Sequence, residues 1–357
     1  MKFIHTADLH LDSKIENLPP EKANMRREEI LRSFERLCDY AKQNHVSAVI
    51  IAGDLFDTRR VTKKALERVI GAISLCDHVD FLYLAGNHDG KVDEEIFNNF
   101  PDNFKLFSHG FSSFRYGGVV IGGFCYEGNL LKSSYDQIVF NEKDYNVLCM
   151  HGQIADYKNK QASGVISIPL LKDKFIDYLA LGHYHSYSTG ELDARGVYAY
   201  SGCLDARGFD EIGQKGFVLL DTDKNTTEFI EFSSRIYYES EFNVSGFDAW
   251  FMARSDILSL ATKNFDKGCL LKLVIKGDRK ADFNLDINEL QERLNEIVFF
   301  ARVDDKTDLI LSQEDYLNDK SVRGEFLRLV WESDLSPEQK KKVISCGLNA
   351  IKGEEIL

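Results

Sequence analysis

The sequence predicts an α/β protein, followed by a smaller α+β region and two C-terminal helices. Three observations predict it: short β-branched or aromatic runs recur, each ends in a polar cluster, and helical segments lie between the first of them. The runs are residues 3–7, 48–52, 81–85, 119–124, 147–150 and 178–181. They are nearly continuous in apolar residues, the pattern of strands buried on both faces.

Between the first two runs, Ile30, Phe34, Leu37 and Ala41 fall at helical spacing after Pro19 and Pro20, and the pattern ends near Asn44. This reads as an amphipathic crossover helix. Arg26, Arg27, Arg32 and Arg36 on it read as a solvated face. Leu66, Val69, Ile70 and Ile73 mark a second helix. Beyond about residue 190 the texture becomes hairpin-like, with strands expected at 197–200, 216–220 and 228–232 and a turn at Asp223, Lys224 and Asn225. Residues 236–312, with a strand at 270–275 and a helix at 288–298, suffice for a small α+β domain. Residues 313–357 hold two short helices, 322–331 and 337–351, the second with Ser336 as N-cap and Pro337 at the first helical position.

Composition narrows the function classes. The 357 residues allow two or three domains, and 44% hydrophobic and 28% charged residues exclude a largely disordered chain. A net charge of −13 excludes a uniformly basic nucleic-acid coat. Seven cysteines without a CxxC pair suggest reduced thiols and a cytoplasmic location. No apolar run approaches the roughly 18 residues of a membrane span, so no membrane association is expected.

The chemistry lies where the runs stop. Asp8 and His10 follow the first, Gly53-Asp54 the second, Gly86-Asn87-His88-Asp89 the third, His151-Gly152 a later one and Gly182-His183-Tyr184-His185 the last. Five of the nine histidines therefore sit at C-terminal strand ends, where open α/β sheets carry their sites. Carboxylate, carboxamide and imidazole form an oxygen and nitrogen donor set suited to Mn, Fe, Zn or Mg. Two metals sharing a carboxylate need about seven protein ligands, and Asp8, His10, Asp54, Asn87, His151, His183 and His185 supply them. His5 falls on the opposite strand face from Asp8 and reads as structural, as do His45, His78 and His109. Tyr184 reads as a packed strand-end tyrosine or as a stacking surface for a nucleobase.

The opening IHTADLHLDS, the GDLFDT segment and the GNHD, HG and GHYH series, in that order over residues 1–235, resemble the calcineurin-like metallophosphoesterases. Within them they are most similar to the Mre11/SbcD DNA-repair nucleases. The resemblance implies a β-sandwich flanked by helices (αββα), with one metal on Asp8, His10, Asp54 and His185 and the other on Asp54, Asn87, His151 and His183. It further implies that Asp54 bridges the two, that His88 contacts the scissile phosphate without binding metal, and that Asp89 orients His88. Archaeal and eukaryotic members carry a second non-ligand histidine directly after GDLF. This sequence has Asp57 there, as bacterial members do.

The resemblance also implies an activity. A chain of this kind is expected to hold two divalent ions, Mn²⁺ foremost, and to hydrolyse DNA in repair as an exonuclease with single-strand endonuclease activity. A capping domain is expected at 236–312 and an SbcC/Rad50-like coiled-coil ATPase as partner, docked on the C-terminal helices, with a homodimer as a further assembly. A small-molecule or nucleotide phosphodiesterase on the same core is the alternative, and a non-catalytic scaffold within an ATPase complex is a third reading.

Overall fold

The computed structural model describes residues 1–57, 61–86, 94–108, 110–124, 132–155, 164–280, 283, 285–310 and 319–352. The chain divides into two compact units, Met1–Tyr237 and Tyr238–Leu357.

In the first unit the elements run β1 (Lys2–Thr6), α1 (Pro20–Gln43), β2 (Ala48–Ala52), α2 (Lys63–Ser74), β3 (Asp80–Leu84), β4 (Phe104–Leu106), β5 (Ser112–Tyr116), β6 (Val119–Gly123), α3 (Lys132–Asp136) and β7 (Tyr145–His151). The two-residue strands β8 (Gln153–Ile154) and β9 (Val165–Ile166) come next. β10 (Tyr178–Gly182), β11 (Ser188–Glu191), β12 (Val197–Tyr200), β13 (Gly216–Asp221) and β14 (Thr226–Glu231) complete the unit. They form two six-stranded mixed sheets, ordered β14-β13-β1-β2-β3-β4 and β11-β12-β10-β7-β6-β5. β1, β2 and β3 are parallel neighbours, as are β6, β7 and β10.

The sheets share one core. Ala48, Ile50 and Ala52 of β2 meet Val147 and Cys149 of β7 and Tyr178 and Ala180 of β10 in it. Strand alternation turns Val49 and Ile51, also buried, to the opposite face. That face is covered by helices, with Phe34 of α1 against Phe81 of β3 at a ring separation of 6.5 Å. The outer face of the second sheet is covered more thinly, by α3 and the segment carrying Ile166, Leu171 and Ile176.

Arg26 departs from the expected solvated face. It is fully buried, and its guanidinium donates to Asp205 Oδ1 at 2.7 Å, the Ala206 carbonyl at 2.9 Å, Ser234 Oγ at 2.8 Å and Glu29 Oε2 at 2.6 Å. Its Nε makes no hydrogen bond among the described residues, but the bonds from the two terminal nitrogens offset the burial and fasten α1 to the segments after β12 and β14.

The second unit holds a three-stranded sheet ordered β15 (Ile236–Asn243), β16 (Cys269–Lys280) and β17 (Phe300–Ile310), with α4 (Trp250–Asn264) and α5 (Ile287–Ile297). Trp250, Ile257, Leu271, Leu290 and Leu294 lie in its core. α4 escapes sequence reading because Phe251, Met252 and Leu260 are exposed, which blurs the apolar stripe. α6 (Val322–Glu332) and α7 (Pro337–Lys352) bury Leu327, Val330, Ile344 and Leu348 together, beside Leu309 of β17. Ser336 caps α7 as expected: its Oγ accepts from the Gln339 amide while Gln339 Oε1 accepts from the Ser336 amide. No described helix is long and apolar enough to cross a membrane.

Candidate metal centre

Past the ends of β1 and β2 the two chain segments continue side by side. The amides of Asp8, His10 and Leu11 donate to the carbonyls of Gly53, Asp54 and Leu55 at 3.0, 2.9 and 2.9 Å. This ladder sets Asp8 and His10 beside Asp54. Four of the expected ligand residues have left-handed backbone, Asp8 at φ 51°, His10 at 44°, Asp54 at 54° and His183 at 110°. Non-glycine residues hold such conformations at a cost, and where they cluster they mark functional sites. Gly86 and Gly182 serve through their missing side chains: a Cβ on Gly86 would stand 2.2 Å from Asp54 Oδ1, and one on Gly182 would stand 1.9 Å from the Ala52 carbonyl oxygen.

Candidate ligand atoms of Asp8, His10 and His185 lie within 4.8 Å of one another, and so do those of Asp8, Asp54 and His151. Asp54 Oδ2 is 3.8 Å from His10 Nε2 and 3.5 Å from His151 Nε2, and Asp8 is the residue common to both groups. His183 donates its amide to both oxygens of Asp8 at 3.0 Å, and its ring is 5.5 Å from that of His151.

The outer contacts set the tautomers. His10 Nδ1 faces Asp57 Oδ1 at 3.2 Å, His185 Nδ1 faces Glu211 Oε1 at 2.6 Å, and His151 Nδ1 faces the Ala52 carbonyl at 2.9 Å. The Glu211 carboxylate and the Ala52 carbonyl accept, so Nδ1 of His185 and of His151 carries the proton and, in the neutral ring, Nε2 turns its lone pair inward. Asp57 favours the same tautomer of His10 by its charge, without a hydrogen bond. The Nε2 atoms of His10 and His185 then confront each other at 3.3 Å, and the lone pair of His151 faces the Asp54 carboxylate. Lone pairs and buried carboxylates so arranged repel unless a cation lies among them, and outer acceptors on Nδ1 are the usual companions of metal-bound imidazoles. The donor set therefore fits a divalent metal.

The sequence pattern of the calcineurin-like phosphoesterases matches residues 1–187. The chain belongs to that family. This phosphoesterase is 26% identical over 338 residues, 86% of this chain and 82% of the other, to the uncharacterized metallophosphoesterase YhaO of Bacillus subtilis. It is 25% identical over 328 residues, 86% of this chain and 81% of the other, to the DNA double-strand break repair protein Mre11 of Sulfurisphaera tokodaii. Among solved structures, a dimetal phosphatase from Danio rerio aligns with 61% of this chain and 91% of its own, at 10% identity and a TM-score of 0.43.

In the phosphoesterase, then, Asp8, His10 and Asp54, beyond β1 and β2 of one sheet, come together with His151, His183 and His185, at the ends of β7 and β10 of the other, rather than along a single sheet edge. Asn87, His88 and Asp89 lie outside the described residues. Tyr184 is exposed on the same turn, edge-on to Tyr200 at 4.8 Å. His5 is buried, 2.8 Å from the Tyr178 hydroxyl and 3.2 Å from the Leu181 carbonyl, and so belongs to the core. Burial and the neighbouring His151 push the His183 pKa below its ordinary value. Burial also disfavours charge on His185, but Glu211 outweighs it and holds that imidazole above its ordinary value. Glu211 is held at about 2, since His185 and Arg207 overcome the effect of its burial. Sequence reasoning missed Glu211 and Arg207, which belong to no motif at a strand end.

Proposed function

We propose that this chain is a two-metal phosphodiesterase whose substrate is DNA. The metal-dependent part rests on the confronted Nε2 atoms of His10 and His185 beside buried Asp8 and Asp54. Support for DNA comes from the ordered motif series and from the Mre11-named relatives matched over most of the chain. When bound, two divalent cations, Mn²⁺ being the favoured pair, activate a water and offset charge on the phosphoryl group and leaving oxygen.

The chain's own residues supply the rest. His10 and His185 on one side and His151 and His183 on the other present ring nitrogens, with Asn87 completing the second group. Asp54 bridges. His88, oriented by Asp89, contacts the scissile phosphate and offsets its developing charge, so His88→Ala retains metal and lowers turnover by about 10²–10⁴-fold. Tyr184, exposed beside the ligands, offers a face for a base to stack on.

A net charge of −13 favours a second reading, hydrolysis of small phosphodiesters or nucleotides, because long-range attraction to DNA is poor. A Mn²⁺-dependent assay comparing labelled single- and double-stranded DNA with bis-p-nitrophenyl phosphate and nucleotides separates the two. Cleavage confined to the small esters removes the nuclease reading. Asp54→Ala must abolish hydrolysis and reduce bound metal in the same preparation.

On the nuclease reading an SbcC/Rad50-like ATPase supplies DNA affinity and docks its coiled-coil base on α6 and α7. Support comes from Val322 and Leu329, which remain 76% and 61% exposed after the helices have packed together. Leu329→Asp should abolish co-purification with that ATPase and leave hydrolysis of the small ester intact. Retained co-purification removes the docking proposal, and light scattering of the same sample reports whether the chain forms the homodimer.

A further inference from the structure

The outer partners of His10 and His185 form one connected group. Glu211 Oε1 takes the His185 Nδ1 proton and also accepts from Arg207 Nε at 3.3 Å and Nη2 at 3.1 Å. Glu211 Oε2 accepts from the Arg207 amide at 2.6 Å and from Cys203 Sγ at 3.8 Å. Arg207 Nη1 in turn lies 3.7 Å from Asp57 Oδ2, whose other oxygen faces His10 Nδ1. Arg207 Nη2 is also 3.4 Å from His185 Nδ1, but two donors meet there, so that contact holds nothing. One guanidinium therefore joins two carboxylates, of which Glu211 is hydrogen-bonded to His185 Nδ1 and Asp57 acts on His10 Nδ1 by charge at 3.2 Å. The segments concerned are the turn after β2 and the segment between β12 and β13.

We infer that Asp57, Arg207 and Glu211 are positioning residues for a divalent cation, holding His10 and His185 in the tautomer and orientation that present both Nε2 atoms to it. This rests on the metal-centre reading and extends it to three residues that touch no metal. The charge pattern explains the arrangement. Arg207 donates to Glu211 and lies 3.7 Å from Asp57, which sets one positive charge between the two negative ones.

Glutamine cannot replace Glu211 silently. Both carboxylate oxygens only accept in this setting, so the amide nitrogen of Glu211→Gln must face donors whichever way it turns. The test uses the full chain, stripped of metal and titrated with Mn²⁺ by calorimetry, alongside ¹⁵N-histidine spectra of the metal-free protein. Glu211→Gln, Asp57→Asn and Arg207→Met are each expected to weaken Mn²⁺ binding by about 10–100-fold, the usual effect of losing an outer partner. In the spectra, His185 should be an Nδ1–H tautomer in the wild type and lose that signature in Glu211→Gln. A purely structural role for the group would leave the tautomer unchanged.

Wild-type Mn²⁺ affinity retained in all three variants overturns the inference, and so does an Nε2–H tautomer for His185 in the metal-free wild type. Absence of Mn²⁺ binding in the wild type itself overturns the metal-centre reading instead. Should Glu211→Gln fail to fold, Asp57→Asn, at a side chain 25% exposed, carries the same measurement for His10.

Discussion

His10 and His185 meet Nε2 to Nε2 at 3.3 Å, although their Nδ1 atoms face different carboxylates, Asp57 at 3.2 Å and Glu211 at 2.6 Å. With both rings neutral the two lone pairs repel, so the site needs a positive charge between them, which a proton supplies in the metal-free protein and a metal cation supplies by displacing it. Adding Mn²⁺ to chelator-treated protein should therefore raise the unfolding temperature. At a hundredfold excess over the dissociation constant the gain is about 2.7 kcal/mol. An unfolding temperature indifferent to Mn²⁺ at millimolar concentration contradicts the assignment.

Gly182 is constrained by contact. A Cβ there would meet the Ala52 carbonyl, the same oxygen that accepts from His151 Nδ1 at 2.9 Å. Gly182→Ala should cost about 1–3 kcal/mol, the range for overpacking, and displace His151 as well. Gly71, inside α2 with open space around it, is the contrast: Gly71→Ala should stabilise by about 0.5–1 kcal/mol. Urea unfolding of both variants checks the pair.

The buried Arg26 and Asp205 form an ion pair at 2.7 Å with both side chains fully buried. Removing one partner leaves the other charged in the interior. Arg26→Met should cost about 3–5 kcal/mol. The double variant Arg26→Met/Asp205→Asn should lose less than the sum of the two single losses. Strict additivity in urea unfolding would mean that the two groups do not sense each other.

His5 sets a pH dependence. The Leu181 carbonyl can only accept, so His5 Nε2 donates to it, and Nδ1 accepts from the Tyr178 hydroxyl. Burial lowers the pKa from 6.5 to about 3, against a smaller opposing effect of the carbonyl. The unfolded chain therefore takes up the proton first. The contribution is intact above pH 6.5 and is lost as pH falls toward 3, the loss amounting to about 2 kcal/mol at pH 5. Stability measured from pH 7 to 5 should fall less steeply in His5→Gln than in the wild type; parallel slopes refute the role.

The strands of the first unit's core and the set of donors beyond them are legible in the chain alone. Apolar runs long enough to be buried must stop before a charged group, and Asp8, Asp54, His151 and His183 stand where they stop. The capping of α7 is legible too, because Ser336 and Gln339 are neighbours in the chain. Which ring nitrogen each histidine turns inward is settled only by folding. That choice belongs to acceptors brought in from afar: Ala52 is 99 residues from His151, and Glu211 lies on a separate segment 26 residues beyond His185. The same holds for Arg26, which turns into the protein. A helical pattern gives a residue's face, whereas burial of a guanidinium depends on a carboxylate, Asp205, that the sequence places far away and the packed fold brings to it.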